Sequence, residues 1–236
     1  MARTPIWKSI AESLTGQIAA GQYVPGGKLP TEAELANRFG VNRHTVRHAL
    51  KAMAEQGLVH ARRGAGVFVT QKPTVYPLGR RVRFHQSLSA AGQVPEKRLL
   101  SIETRRAAPA EEEGLALGSR ADVHVCEGLS LADGQPIAVY RSVFPAARLP
   151  SLPEHLRENP SVTAALAADG VADYTRAWTN LTAKRATAVQ ALHLQINEGA
   201  PILRSVGVNV DLNGAPVEFG HTWFAGDLVT LTVADD

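Results

Sequence analysis

Arg43, Arg47 and Lys51 stand four residues apart in VNRHTVRHALK (41–51), and His44 and His48 form a parallel row beside them. On a helix, side chains at i and i+4 lie one above the other, so this spacing stacks cations along a single face. Like charges so placed destabilise an isolated helix. Arg43 also stands at the helix start, where the macrodipole opposes a cation. Against a phosphate backbone the same layout becomes favourable. Each cation displaces a counterion, and an arginine fork also matches the major-groove edge of guanine. The chemistry this spacing implies is binding to duplex nucleic acid.

The elements that must carry this face are legible around it. Val46, Ala49, Leu50 and Met53 recur at i, i+3, i+4 and i+7, a buried stripe on the same helix. Asn42 is placed to cap that helix. Two helices precede it. Ile6, Trp7, Ile10, Leu14 and Ile18 fall at helical spacing, with Gly21 as a stop. TEAELANRFG (31–40) opens with a capping box of Thr31 and Glu34 and closes on Gly40. Downstream, GLVHARRGAGVFVT (57–70) reads as a strand, a glycine turn and a second strand. Arg62 and Arg63 stand just before Gly64 and Gly66, whose missing side chains let the hairpin tip approach a backbone closely. Three helices and a hairpin wing make a winged helix-turn-helix, with the third helix as recognition helix.

KLPTEAELANRFGVNRHTVRHALKAMAEQGLVHARRGAGVFV (28–69) resembles the winged helix-turn-helix of GntR-type bacterial transcription regulators. The resemblance implies that Arg43, Thr45 and Arg47 contact bases or phosphates and that Thr31 and Asn42 touch phosphates. It also implies that Gly66 enters the minor groove on the wing. Where the family often has arginine after the glutamate of its L-P-S-E run, this chain has Ala33. Arg38, one turn further on, either compensates for that loss or is a solvated helix charge.

Charge is unevenly spread. Residues 1–88 hold 13 Lys/Arg against 4 Asp/Glu, and residues 89–236 hold 12 against 18, so the two parts carry net +9 and −6. Such a split suggests a nucleic-acid-facing part joined to a part with another task. A single cysteine, Cys126, excludes an internal disulfide and a cysteine-based metal site. His85, His124, His155, His193 and His221 show neither H-x-x-x-H nor H-x-H spacing, so no metal is expected. There is no G-x-S-x-G elbow and no phosphate-cradling glycine loop. The acidic run Glu111, Glu112 and Glu113 reads as an exposed helix start. No apolar run approaches the ~18 residues of a membrane span, and the N-terminus lacks the apolar core of a secretion signal. The expectation is a cytoplasmic protein without a cofactor that is not an enzyme.

QKPTVYPLGRRVRF (71–84) has two prolines, four cations and little periodicity, and reads as a linker. The expected domains are 1–70 for DNA binding, 71–83 as linker and 84–236 for a second task. The second domain contains an internal repeat. LADGQPIAVYRSVF (131–144) recurs as LNGAPVEFGHTWF (212–224), with Asp133-Gly134 over Asn213-Gly214, the residues of tight two-residue hairpin turns. Each half reads strand, helix, strand, hairpin, strand. Between them NPSVTAALAADG (159–170) reads as a helix capped by Ser161 and ended by Gly170. Two such halves make one antiparallel sheet with helices on it, an α+β domain, and the crevice between halves is a natural small-molecule site.

This region resembles the effector-binding (UTRA) domain of the HutC branch of the same family, a domain likened in fold to chorismate lyase. RRVRFHQSLSAAG (80–92) and VFPAARLP (143–150) are most similar to regulators of phosphonate utilisation. The resemblance implies an anionic effector, whether phosphonate, sugar phosphate or another anion, held by arginines, hydroxyls and backbone N–H groups after the linker. Arg83, Phe84 and His85 occupy that place. Arg83 either grips an oxyanion bidentately, or is a solvated linker charge, or is a second DNA contact. Tyr140 stands where glutamate is common and is followed by Arg141. Ser161 matches a helix-start serine that donates to phosphate, and is equally a plain N-cap. Thr163 stands where an aromatic is common. Glu218 and His221, after the second hairpin, face either the pocket or the surface. Gly128 and Ser130 stand where sugar-phosphate-binding members carry arginines. The function implied is a repressor that binds a palindromic operator as a homodimer under effector control. The alternatives are an effector-blind architectural DNA-binding protein and a lyase-like enzyme.

Overall fold

In the computed structural model the chain is described over residues 5–62, 64, 66–70, 73–79, 88–89 and 92–233. It divides into two units, 1–72 and 73–236. In the first, the helical periodicities close on one core. Helices α1 (Ile6–Ala19), α2 (Glu32–Phe39) and α3 (Arg43–Glu55) precede the antiparallel pair β1 (Val59–Arg62) and β2 (Gly66–Val69). Ile10 and Leu14 of α1, Leu35 of α2, and Val46, Leu50 and Met53 of α3 pack together, with Val59 and Val69 closing the cluster from the hairpin.

The helix ends are fixed by their own residues. Thr31 Oγ1 accepts from the Glu34 N–H at 3.3 Å, and a Glu34 carboxylate oxygen accepts from the Thr31 N–H at 2.7 Å, a complete capping box. Gly40 ends α2 in the left-handed region at φ 64°. Asn42 Oδ1 then accepts from the Thr45 N–H at 2.9 Å and starts α3. α2 and α3 are thereby held with only a short turn between them.

The second unit is a six-stranded antiparallel sheet with helices, an α+β architecture. Its first half runs β4 (Pro95–Arg106), α4 (Pro109–Gly114), β5 (Asp122–Ala132) and β6 (Gln135–Pro145). Helices α5 (Leu152–Glu158) and α6 (Val162–Ala168) follow. The second half runs β7 (Tyr174–Arg185), α7 (Ala188–Leu194), β8 (Pro201–Asp211) and β9 (Pro216–Ala225). Strand order is β4-β5-β6-β9-β8-β7, so the two halves meet as mirror sequences at the β6–β9 pairing from Ala138↔Phe224 to Val143↔Phe219. The repeat seen in the sequence is therefore the organising device of the sheet.

Two expectations need correction. The first hairpin has the tight turn, with Asp133 and Gly134 both at positive φ (50° and 75°) between Ala132 and Gln135. The second does not. The Gly214 N–H donates to the Asp211 carbonyl at 3.0 Å, the Asp211 N–H donates to the Ala215 carbonyl at 3.0 Å, and Gly214 sits at φ 80°. That is a three-residue loop with a left-handed glycine. It is stiffened by Asp211 Oδ1, which accepts from the N–H groups of Asn213 and Ala215 at 2.9 Å each. The segment read as linker is also not all linker. β3 (Thr74–Pro77) pairs in parallel with β10 (Val229–Thr232), Thr74 opposite Val229, and so belongs to the second unit. Tyr76 is buried there against Phe224, with ring centroids 5.4 Å apart. Its partner strand lies at the far end of the chain, where no local pattern can announce it.

Candidate DNA-binding face and ligand pocket

Because α3 buries Val46, Ala49, Leu50 and Met53, it turns Arg43, His44, Arg47 and His48 outward, and all four are exposed. Thr45 is half-buried, its hydroxyl donating to Asn42 Oδ1 at 3.0 Å. Arg47 is engaged by the first residue of α2. Its Nε donates to Glu32 Oε1 at 2.9 Å and its Nη2 to Glu32 Oε2 at 2.6 Å. The hydrogen bond from Arg47 holds the Glu32 carboxyl below the usual carboxylate range. His48 is stacked on Trp7 of α1, ring centroids 4.3 Å apart. Lys51 stands 3.8 Å from Glu55.

Arg38 is tied to its own unit: Nη1 donates to the Tyr23 hydroxyl at 3.1 Å and the guanidinium lies over the Phe39 ring. The Thr31 hydroxyl is taken up within the capping box, donating to Glu34 at 2.8 Å. On the wing, Gly64 and Gly66 are exposed. A Cβ on Gly66 would fall 2.7 Å from Lys28 Cε, so the Lys28 chain crosses the hairpin beside its turn. Lys28 was no candidate in the sequence, since it lies in a turn-rich stretch, and only its bridge to Phe68 brings it here. Arg63 lies outside the described residues.

In the second unit, strand alternation sorts the polar residues by face. One face of the sheet and the start of α6 enclose a cavity of about 120 Å³ lined by residues of both halves. That is about ten times the room one water needs. From the first half come Lys97, Ser130, Tyr140 and Ser142, and from the second Tyr174, Arg176, Asn209, Glu218 and Thr222. Ser161 and Thr163 contribute from the start of α6. Buried Glu218 is fixed by Ser142 Oγ at 2.5 Å and Asn209 Nδ2 at 2.7 Å. The Thr163 and Tyr174 hydroxyls are 2.9 Å apart. Among the described residues, Arg176 Nη1 is buried with no hydrogen-bond partner.

Tyr140 owes its place to Gly128. A Cβ on Gly128 would collide with the Tyr140 hydroxyl oxygen, so the ring lies where a side chain would otherwise be. The Lys97 ammonium lies 4.3 Å from the centroid of that ring. Burial pushes the Lys97 pKa down and the Tyr140 hydroxyl up, and takes the Tyr76 hydroxyl to about 12. Burial also raises Cys126 to about 11, which leaves it an unreactive thiol at neutral pH.

Of the residues proposed for an effector, Tyr140, Ser161, Thr163 and Glu218 line this cavity. Ser161 is also the N-cap of α6, accepting from the Ala164 N–H at 3.3 Å. Arg141 and His221 do not line it, which corrects their assignment. Each is one residue out of step with a lining neighbour and so faces the opposite side of the sheet. There Arg141 reaches Glu111 at 3.3 Å and Glu127 at 3.7 Å, and His221 stacks on Trp223. Arg83, Phe84 and His85 lie outside the described residues. Lys97, Arg176 and Asn209 went unnoticed because β4, β7 and β8 lack a clean apolar–polar alternation.

The acidic run also needs correction. Glu111 is only 6% exposed. It accepts from Arg105 on both oxygens, at 2.7 and 2.8 Å, and from the Ala108 N–H at 2.8 Å. Among the described residues no three His, Cys, Asp or Glu side chains gather as metal ligands, and no helix is long and apolar enough to cross a membrane.

Comparison with known proteins agrees with this two-unit build. The family model for bacterial regulatory proteins of the gntR family matches residues 7–69, and that for the UTRA domain matches residues 90–230. An uncharacterized HTH-type transcriptional regulator of Rhizobium meliloti (strain 1021) is 38% identical over 97% of this chain and 94% of its own length. The HTH-type transcriptional repressor NagR of Bacillus subtilis (strain 168) is 28% identical over 96% of this chain and 93% of its own. The crystal structure of PhnF from Mycobacterium smegmatis shares the fold, with a TM-score of 0.68 at 24% identity over 96% of this chain and 99% of that one. With a helix-turn-helix followed by a UTRA domain, the chain belongs to the gntR family of bacterial regulatory proteins.

Proposed function

We propose that this protein is a cytoplasmic, DNA-binding transcriptional repressor. It binds a palindromic operator as a homodimer, and a small anion in its UTRA pocket lowers its operator affinity. The outward row on α3 supports the DNA half of this reading. Arg43, Thr45 and Arg47 face a major groove, His44 stands beside them at its rim, and Lys28 with Gly64 and Gly66 meets the backbone at the wing. One small winged helix covers only a half-site, which is why a dimer is required.

The observation that carries the effector half is the buried, unpartnered Nη1 of Arg176 in a cavity lined with hydroxyls. A guanidinium N–H left without an acceptor is costly unless a ligand supplies one, and an oxyanion does so with charge assistance. The Tyr174, Thr163 and Ser161 hydroxyls stand in the same cavity as further partners. Glu218, held by Ser142 and Asn209, repels an anion and confines the charged end of a ligand to the Arg176 side. With Gly128 and Ser130 in place of arginines, a compact phosphonate fits this site better than a hexosamine phosphate.

The test uses an operator duplex selected from a random library by the full-length protein. Fluorescence anisotropy then follows its release by methylphosphonate, 2-aminoethylphosphonate, glucosamine 6-phosphate and inorganic phosphate. A coupling of about 1–3 kcal/mol corresponds to roughly 5–150-fold weaker operator binding with the correct anion. Arg176→Met should keep operator affinity and lose the response. Indifference to all four anions would favour an effector-blind DNA-binding protein.

A further inference from the structure

We infer that Glu32 is a positioning residue for base readout: it grips one edge of the Arg47 guanidinium and leaves the other edge set for a guanine. The inference rests on the reading of α3 as the recognition helix. A guanidinium carries five N–H groups in a planar fork. Glu32 takes one from Nε, at 2.9 Å, and one from Nη2, at 2.6 Å. Three remain, two on Nη1 and one on Nη2, and the Nη1–Nη2 edge is itself a parallel pair of donors. That pair matches O6 and N7 of guanine in the major groove. The carboxylate therefore does not compete with a base. It fixes the plane in which the free edge points.

The placement of Glu32 suits this task. It is the first residue of α2, directly after Thr31, whose capping box fixes the backbone there. Arg47 lies on the outward face of α3, its side chain 61% exposed against 31% for Glu32, so the carboxylate stands behind the guanidinium and the free edge stands in front. Arg43 and His44 also act on the Glu32 carboxyl and favour its charged form, so it stays ionised at neutral pH.

A carboxylate on a face that meets phosphates otherwise works against the protein. It repels the polyanion, and an exposed ion pair adds little to folding. Its compensation is pre-organisation: an arginine already held in one rotamer loses less freedom when it meets its base. Glu32 should therefore weaken binding to duplexes in general while sharpening the choice at one base pair. Those two effects have opposite signs, which separates positioning from a merely structural role.

The experiment compares the full-length protein with Glu32→Ala, Glu32→Gln and Arg47→Ala. Dissociation constants are measured for the selected operator, for each single base-pair change in one half-site, and for a scrambled duplex. Arg47→Ala should lower the preference for one G·C pair about tenfold or more. Glu32→Ala should lower the preference at that same pair about fivefold. It should also tighten scrambled-duplex binding roughly twofold to threefold, since one repulsive charge is gone. Glu32→Gln, which keeps one carbonyl acceptor, should fall between it and the unaltered protein. Unchanged discrimination in Glu32→Ala overturns the inference, as does a parallel loss of operator and scrambled-duplex affinity. If Arg47→Ala alters no base preference, the recognition-helix reading of Arg47 fails first and takes the inference with it.

Discussion

Each unit of this chain has an arginine whose fork is closed on a glutamate, and the two pairs do different work because their surroundings differ. Arg47 and Glu32 join α3 to α2 with side chains 61% and 31% exposed. Arg105 and Glu111 join β4 to α4 with side chains 29% and 7% exposed. Glu32 meets one arginine fork and then solvent. Glu111 also accepts from the Ala108 N–H and draws in Arg141 from β6, so one carboxylate ties two strands and a helix together. The same two functional groups make a surface device in one place and an internal rivet in the other. Burial and the number of satisfied partners decide which.

The largest effect expected from this contrast is at Glu111. Glu111→Ala leaves Arg105 without its main acceptor and strips the Ala108 N–H of its partner. The second unit should lose about 2–3 kcal/mol, read from the urea midpoint of full-length protein with the slope unchanged. A loss no greater than that of an ordinary surface substitution would erase the distinction between the two pairs.

Acid should bring out the same contrast more gently. The Arg105 hydrogen bond holds the folded Glu111 carboxyl below its ordinary value of 4.5. A carboxyl depressed in the folded state contributes fully above its unfolded pKa and loses that contribution as pH falls through the folded value. Stability from this pair is therefore intact at neutral pH and declines below about 4.5, the ordinary carboxylate value. Unfolding midpoints of the unaltered protein and of Glu111→Gln should differ at pH 7 and converge as pH is lowered. A gap that stays constant to the acid limit would mean that charge is irrelevant to the rivet.

The sequence exposes these features unequally, for physical reasons. The α3 face, its buried stripe and the Thr31–Glu34 box are legible because a helix writes its neighbours at fixed short spacings. The duplicated sheet is legible because two Asp/Asn-Gly turns sit in matching apolar frames. The interior of the sheet is harder. β4 carries an extra residue between Leu99 and Ser101, and β7 one between Arg176 and Trp178, so parity counted along these strands changes partway. Arg141 and His221 each stand one residue from positions that line the pocket, and on a strand that single step turns a side chain to the other face. Glu111 looked solvent-facing because two more glutamates follow it, and its partner Arg105 stands on the preceding strand across a turn. Lys28 and β3 depend on pairings that no local window contains.

The smallest expected effect is the stability change in Glu32→Ala, and it is the sharpest check on the contrast. The Arg47 pair is exposed, so water already serves both groups, and mobile ions screen what attraction remains. Removing Glu32 should leave the unfolding midpoint of the first unit within experimental error in physiological salt. At about 1 M salt, where the screening length falls to roughly 3 Å, any residual difference should vanish. The Glu111→Ala deficit should largely survive the same salt, because its carboxylate is shielded from ions by the protein around it. If Glu32→Ala instead destabilised its unit as Glu111→Ala does the other, the carboxylate would be fastening α2 to α3. Its value to base choice would then be a by-product of holding two helices together, and the opposite signs expected for operator and scrambled duplex would give way to a common loss.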